Sequence, residues 1–244
     1  MENIVYKTSV LSNHYSKNRI VWDEFYPSEK KLLESVGIDH NSSVLDIGCG
    51  CGGLGLALKE KFSVTDYTGV DINAAAIQEG ERLNGSAALI CGDILELTNS
   101  ELSSRVFDTV VSLSCIDYNI RFSEMLDVAW KHVAPGGRFV ATFRLTLEEG
   151  VDDINLSYQH INFDHLQEGE LAPYVVLNFH GLIQLLKKFD PSEVKASGYW
   201  GAPAGSAITP YKSVCFAAFS VSKKRPLDHG STIYDLDLPP EFKV

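Results

Sequence analysis

At 244 residues, 45% hydrophobic and 22% charged, the chain suits one large domain, or one domain with an elaborated lid, and has ample apolar content for a core. A net charge of −11 excludes the basic footprint of a nucleic-acid binder, the only dense basic run being Lys223-Lys224-Arg225, so the partner is read as a small molecule. Five cysteines at 49, 51, 91, 115 and 215 describe neither a disulfide framework nor paired zinc ligands, and no stretch reads as a membrane helix or an apolar signal core.

Residues 1–40 precede the first strand and form a helical cover or lid. Tyr15, Trp22, Phe25 and Tyr26 make its first part aromatic-rich, and residues 28–36 have helical character, with Gly37 as the stop. A strand at 43–48 leads into a glycine cluster and a helix over 54–62. Residues 67–72 are a buried strand ending in an acid; Asn73 caps a helix that Asn84-Gly85 ends. Strands follow at 87–91 and 107–114, then a helix at 122–132, Pro135-Gly136-Gly137, and a fifth strand at 138–145. Alternating strands and helices predict a parallel sheet covered on both faces.

The pattern breaks at 146–176, a polar and irregular insert holding Tyr158, His160, Asn162 and His165. A long irregular stretch inside a compact domain is usually functional or disordered. A helix at 177–189 and a strand at 192–199 come next; a small-residue loop at 201–210 joins them to a last strand at 211–221. Two strands joined without a helix pair antiparallel. From 223 the chain is a tail that packs as an extended arm or frays.

The segment Asp46-Ile47-Gly48-Cys49-Gly50-Cys51-Gly52-Gly53 ends an apolar strand and opens a helix. Glycines let the backbone turn tightly and lie against a ligand, and the helix N-terminus adds unpaired N–H groups and a positive dipole end. Gly48, Gly50 and Gly53 also satisfy the dinucleotide fingerprint G-x-G-x-x-G, which makes an NAD-dependent dehydrogenase the first competitor. Asp46, two residues before the first glycine, is foreign to that fingerprint.

The segment resembles the first motif of class I S-adenosylmethionine (SAM)-dependent methyltransferases, an apolar run followed by D-x-G-x-G. Motifs cover residues 43–145: Asp71 ends the second strand 23 residues after Gly48, Asp93-Ile94 follows the third, Phe107-Asp108 opens the fourth and Pro135-Gly136-Gly137 precedes the fifth. The resemblance implies a doubly wound, Rossmann-like α/β fold with seven strands in the order 3-2-1-4-5-7-6, the last antiparallel. It implies a SAM-binding domain over 41–222 with an acceptor-side insert at 146–176, between the N-terminal cover and the tail at 223–244. It also implies a cytoplasmic enzyme without a membrane or nucleic-acid partner, and leaves a homodimer open.

By the same resemblance the cofactor is SAM and the product S-adenosylhomocysteine. Asp46, Gly48 and Gly50 face the methionine portion, Asp71 and Ile72 the ribose, Asp93 and the Ile94 N–H the adenine. The backbone at Ser114 closes the side near the sulfonium, and Tyr15 or Trp22 reaches in from the lid. Methyl transfer from a sulfonium asks the protein mainly to position the acceptor and exclude water, with a base where the acceptor is a hydroxyl. Candidates for the base are Asp117, Tyr118, His160 and His165; Arg144 and Tyr158 are candidates for holding the acceptor, Arg144 by pairing with an acidic one.

Ser114-Cys115-Ile116-Asp117 lacks the Pro-Pro-aromatic signature of adenine and glutamine amino-methyltransferases; the chain has no Pro-Cys pair for pyrimidine C5 chemistry and no carboxylate cluster for metal-dependent catechol chemistry. O- or N-methylation of a small molecule is left: a sugar, a nucleotide-sugar or another secondary metabolite. The alternatives are a non-catalytic SAM-binding protein and another SAM-fold transferase such as an aminopropyltransferase.

Overall fold

The computed structural model describes residues 9–85, 87–97, 102, 104–162 and 164–244. The first eight residues of the expected cover, and Phe163 of the expected insert, lie outside these. Two short helices, α1 (Val10–Tyr15) and α2 (Pro27–Ser35), precede the sheet. The alternating part follows as β1 (Ser43–Ile47), α3 (Gly53–Phe62), β2 (Asp66–Asp71), α4 (Ala74–Leu83), β3 (Ala88–Cys91), β4 (Phe107–Ser112), α5 (Phe122–Lys131) and β5 (Val133–Thr146). The remainder is β6 (Tyr158–His160), β7 (Leu171–Pro173), β8 (Leu177–Asn178), α6 (Phe179–Lys187), β9 (Glu193–Gly201), β10 (Ala207–Ile208), β11 (Val214–Ser222) and β12 (Ile233–Asp237).

The main sheet runs β12-β9-β11-β5-β4-β1-β2-β3, with β8 pairing the end of β5. Its first five strands are parallel in the order 3-2-1-4-5, and β11 is antiparallel to both β5 and β9. That is the expected Rossmann-like order, reversed strand included. The β9–β11 connection carries β10 and no crossover helix, and β11 turns back antiparallel to its neighbour.

Helices cover both faces. On one, Met125, Leu126 and Ala129 of α5 and Leu182, Ile183 and Leu186 of α6 join Leu45, Val110 and Phe139 in the larger core. On the other, Leu33 of α2 and Leu54, Ala57 and Leu58 of α3 pack on Val44, Val111 and Val140. Alternate residues of one strand thus feed two cores, which is why the parallel strands read as continuous apolar runs. Asn73 caps α4 by accepting from the N–H groups of Ala75 and Ala76, as its place after the second strand predicts.

Two regions are more ordered than the sequence suggests. The insert contains β6 and β7, which join β10 in a separate three-stranded antiparallel sheet. The tail contributes β12, an eighth strand parallel to β9, and then buries Phe242 between Phe179 and Trp200 at ring separations of 5.1 and 5.2 Å. Strands of two or three residues are too short to show a period of two, so polarity alone described these stretches as irregular. Among the described residues no helix is long and apolar enough to cross a membrane.

Candidate active site

The chain runs from β1 outward to β3 and returns to β4 on the other side of β1, so the order of the strands reverses between β1 and β4. The crevice at such a switch point, beyond the carboxyl ends of the strands, is where open α/β sheets bind ligands. Here it is a cavity of about 270 Å³ walled by the glycine turn, Asp71, Asp93, Ser114 and Cys115, with α1 and the insert on its rims.

The turn is held by backbone. Gly48 N and Cys49 N donate to the Val70 carbonyl at 2.8 and 3.1 Å, pinning the turn to β2. Gly48 has φ +79°, and a Cβ there would collide with the Cys115 side chain, so only glycine lets the loop after β4 close on the turn. Each oxygen of Asp71 accepts one N–H, from Gly50 and from Asn73, both at 2.8 Å. These bonds fix the carboxylate at the cleft wall, while burial pushes its pKa up. Asp46 is buried behind the turn, where the Tyr67 hydroxyl donates to it at 2.6 Å and burial pushes its pKa up to about 7.

The N-terminal cover lies directly on this wall. A Cβ on Gly53 would collide with the Arg19 carbonyl, so glycine admits the backbone of the cover to the first turn of α3. Arg19 Nη2 lies 3.1 and 3.0 Å from the two oxygens of the fully buried Glu29, and its guanidinium sits over the rings of Phe25 and Tyr26.

The opposite wall comes from the loop after β4 and from the insert. Tyr118 donates to Gln159 Oε1 at 2.8 Å, and Gln159 Nε2 donates to Ser206 Oγ at 3.1 Å. Behind Tyr118, Arg144 is buried between two rings, 4.0 Å from the centroid of Tyr118 and 3.8 Å from that of Tyr174. It pairs with Asp117 at 3.2 Å and donates to the carbonyls of Asp117 and Val175 at 2.7 and 3.4 Å. One side chain of β5 thereby ties the loop after β4 to the insert.

A family model described as a methyltransferase domain matches residues 45–139, the span from β1 into β5. Residues 45–139 are thus similar to a methyltransferase domain. A sterol 24-C-methyltransferase of Kluyveromyces lactis is 24% identical over 142 residues, covering 56% of this chain and 37% of that protein. Phosphoethanolamine N-methyltransferase 1 of Zea mays is 24% identical over 144 residues, 57% of this chain and 28% of that one. The chain thus spans well under half the length of these curated relatives. A solved SAM-dependent methyltransferase of Methanosarcina mazei shares the fold with TM-score 0.59 at 17% identity, over 82% of this chain and 99% of that one.

Tyr15, Asp46, Gly48, Gly50, Asp71, Ile72, Asp93, Ile94, Ser114, Tyr118 and His160 all line the cleft. Ser114 takes φ +50°, with its N–H on Thr142 Oγ1 at 2.7 Å, a left-handed non-glycine turn that closes the end of β4. Five expected residues stand elsewhere. Trp22 is buried in the smaller core, edge-on to Phe62 at 5.1 Å and stacked on Phe25 at 6.4 Å, because the large apolar surface of the indole gains most from burial. Asp117 and Arg144 back the wall rather than face the cleft, each neutralising the other, so Arg144 offers no cation at the mouth. Tyr158 is committed to the small sheet opposite Pro173 and Ile208, and His165 lies in a loop against Gly205.

Arg19, Asn73, Cys115 and Gln159 line the cleft without having been singled out as site residues. Asn73 was legible only as a cap, and Gln159 carries no motif. The lining suits an S-adenosyl group. It offers a glycine turn at the cleft wall, a carboxylate held in place by two N–H groups, and a buried Asn73 Nδ2 that lacks a partner.

Proposed function

We propose that the protein binds SAM at the glycine turn and transfers its methyl group to an O or N atom of a small-molecule acceptor held against the insert. The observation that carries this is the shared cleft, in which the D-x-G-x-G turn and Asp71 stand across from Tyr118 and His160. When bound, SAM supplies a methyl group on a sulfonium that leaves as a neutral thioether. Asp71 takes the ribose hydroxyls, Asp93 and the Ile94 N–H take the adenine edge, and the backbone near Ser114 closes the sulfonium side. Tyr15 and the cover exclude water from above.

On the acceptor side, Tyr118 orients the substrate and His160 takes its proton where one must leave. Asp117 is withdrawn from that role by its pairing with Arg144. The same pairing argues against aminopropyl transfer, since the one acid after β4 is spent on an internal cation. The relatives named for sterol and for phosphoethanolamine methylation differ in acceptor chemistry, so their names support methyl transfer without selecting an acceptor. The test is calorimetric titration with S-adenosylhomocysteine alongside Asp71→Ala and an NAD control. Micromolar binding lost in the variant, with no NAD response, supports the reading; NAD binding overturns it. Turnover of labelled SAM against an acceptor collection then identifies the substrate.

A further inference from the structure

One cation of the cleft is only partly engaged. Among the described lining residues Arg19 is the only arginine or lysine. Its Nη2 reaches both oxygens of Glu29, at 3.1 and 3.0 Å. A guanidinium carries five N–H donors, so the Nε–H and both N–H groups of Nη1 are left without a protein partner among the described residues. The Glu29 side chain is wholly buried while that of Arg19 keeps 18% exposure, so the open end of the pair is the guanidinium.

The position of that open end is set by the cover. The backbone of Arg19 lies on the first turn of α3, its carbonyl against Gly53. The side chain reaches over Phe25 and Tyr26 to Glu29 of α2. That helix packs on β5, β9 and β11, the half of the sheet from which the insert departs. Burial pushes the pKa of Glu29 up, and the Asp117 carboxylate adds to the rise from the loop after β4. The guanidinium therefore stands toward the acceptor side of the switch point. Because Glu29 and two rings already hold it, an incoming ligand does not have to order it.

Unused guanidinium N–H groups in a partly dehydrated cleft bind a carboxylate through charge-assisted hydrogen bonds. Asp46, Asp71 and Asp93 line the same cleft, so a dianionic phosphate ester would bring a second charge that no lining cation offsets. Ile120, Ile154, Ile161 and Pro173 supply apolar surface beside the insert. Resting on the methyl-transfer reading, we infer that the acceptor is a monocarboxylic acid with an apolar body, and that Arg19 holds its carboxylate. The pairing with an acidic acceptor that the sequence suggested for Arg144 passes to Arg19, since Arg144 is closed off by Asp117.

The test uses the full chain saturated with S-adenosylhomocysteine and calorimetry at neutral pH. Benzoate, phenylacetate and hexanoate are each compared with their amides. The tightest-binding carboxylate is expected to exceed its amide by about tenfold or more, the scale of one hydrogen bond to a charged group. A clearly smaller ratio, or no measurable carboxylate binding, overturns the inference. Arg19→Gln combined with Glu29→Gln removes both charges without stranding a buried carboxylate, and is expected to bring the ratio below about threefold. If that variant shows no cooperative urea transition, Arg19→Lys takes its place. It keeps the Glu29 pair, loses the spare guanidinium donors, and is expected to lower the ratio by about threefold or more. An unchanged ratio in the folded variant overturns the assignment to Arg19. The cofactor's methionine end also carries a carboxylate, and 5′-methylthioadenosine, which lacks that end, separates the two sources. Loss of S-adenosylhomocysteine affinity in the variant with 5′-methylthioadenosine unaffected would give Arg19 to the cofactor and overturn the inference; retention of both is expected. If S-adenosylhomocysteine does not bind the unsubstituted chain, the cofactor reading fails first and takes this one with it. If it binds and the carboxylates show no preference, only the acceptor class is wrong.

Discussion

The two walls of the cleft are built by different means. On the cofactor side the contacts run between neighbours along the chain and use the backbone. Gly48 and Cys49 hang on Val70, and Asp71 accepts from Gly50 and Asn73, all within one strand–turn–helix–strand unit. On the acceptor side the contacts are between side chains from distant elements: Tyr118 with Gln159, Gln159 with Ser206, and Arg144 with Asp117 and the Val175 carbonyl. A wall made of backbone tolerates change in most of its side chains but not in its glycines or its one anchoring acid. A wall made of buried side chains depends on each of them for stability, and its specificity changes with single residues.

The sharpest way to break that contrast is Arg144→Met. The substitution leaves the Asp117 carboxylate buried and unpaired, and should cost about 3–5 kcal/mol in urea unfolding. The pair Asp117→Asn with Arg144→Met should recover part of that loss, while S-adenosylhomocysteine affinity of folded Arg144→Met stays within about threefold. A large loss of affinity would mean that the two walls are not separable.

Asp71→Ala probes the other wall and should weaken S-adenosylhomocysteine binding by about 1.5–3 kcal/mol, read by calorimetry, because charge-assisted bonds are lost together with the anchor of the glycine turn. Asp46 tests whether burial behind that turn has a cost. Its carboxyl titrates at about 7 in the folded chain against a usual 3.8, so the unfolded chain gives up its proton first. The contribution is therefore present in full at acid pH and is lost as pH rises through 7, on the order of 2 kcal/mol between pH 5 and 8. Unfolding curves of the ligand-free protein should follow that trend, and Asp46→Asn, which keeps an acceptor for the Tyr67 hydroxyl, should flatten it.

The smallest effect is expected from Tyr118→Phe. Losing the hydroxyl that donates to Gln159 should cost about 1 kcal/mol of stability and leave S-adenosylhomocysteine binding unchanged. Weakened cofactor binding in this variant would show the acceptor wall reaching into the cofactor half.

Most of the fold was legible along the chain. The alternation of apolar runs with capped helical segments, the Asn73 cap and the missing crossover before the last strand lead to the observed order, because burial on both faces and short connections are local properties of sequence. The small sheet of β6, β7 and β10 and the edge strand β12 were not legible, since their short strands hold together through partners far along the chain.

The sequence by itself determined the cofactor wall. An acid, a set of glycines and a second acid at the next strand end act through backbone geometry that any strand–turn–helix unit reproduces. Tertiary structure alone decided which polar residues of the acceptor side face the cleft. Arg144 and Asp117 looked available as isolated residues and are consumed by one another; Gln159 looked unremarked and stands in the wall. Whether a charge is free or spent depends on what is buried beside it, and for Arg144 those neighbours come from residues 117, 118, 174 and 175, brought together only by the folded chain.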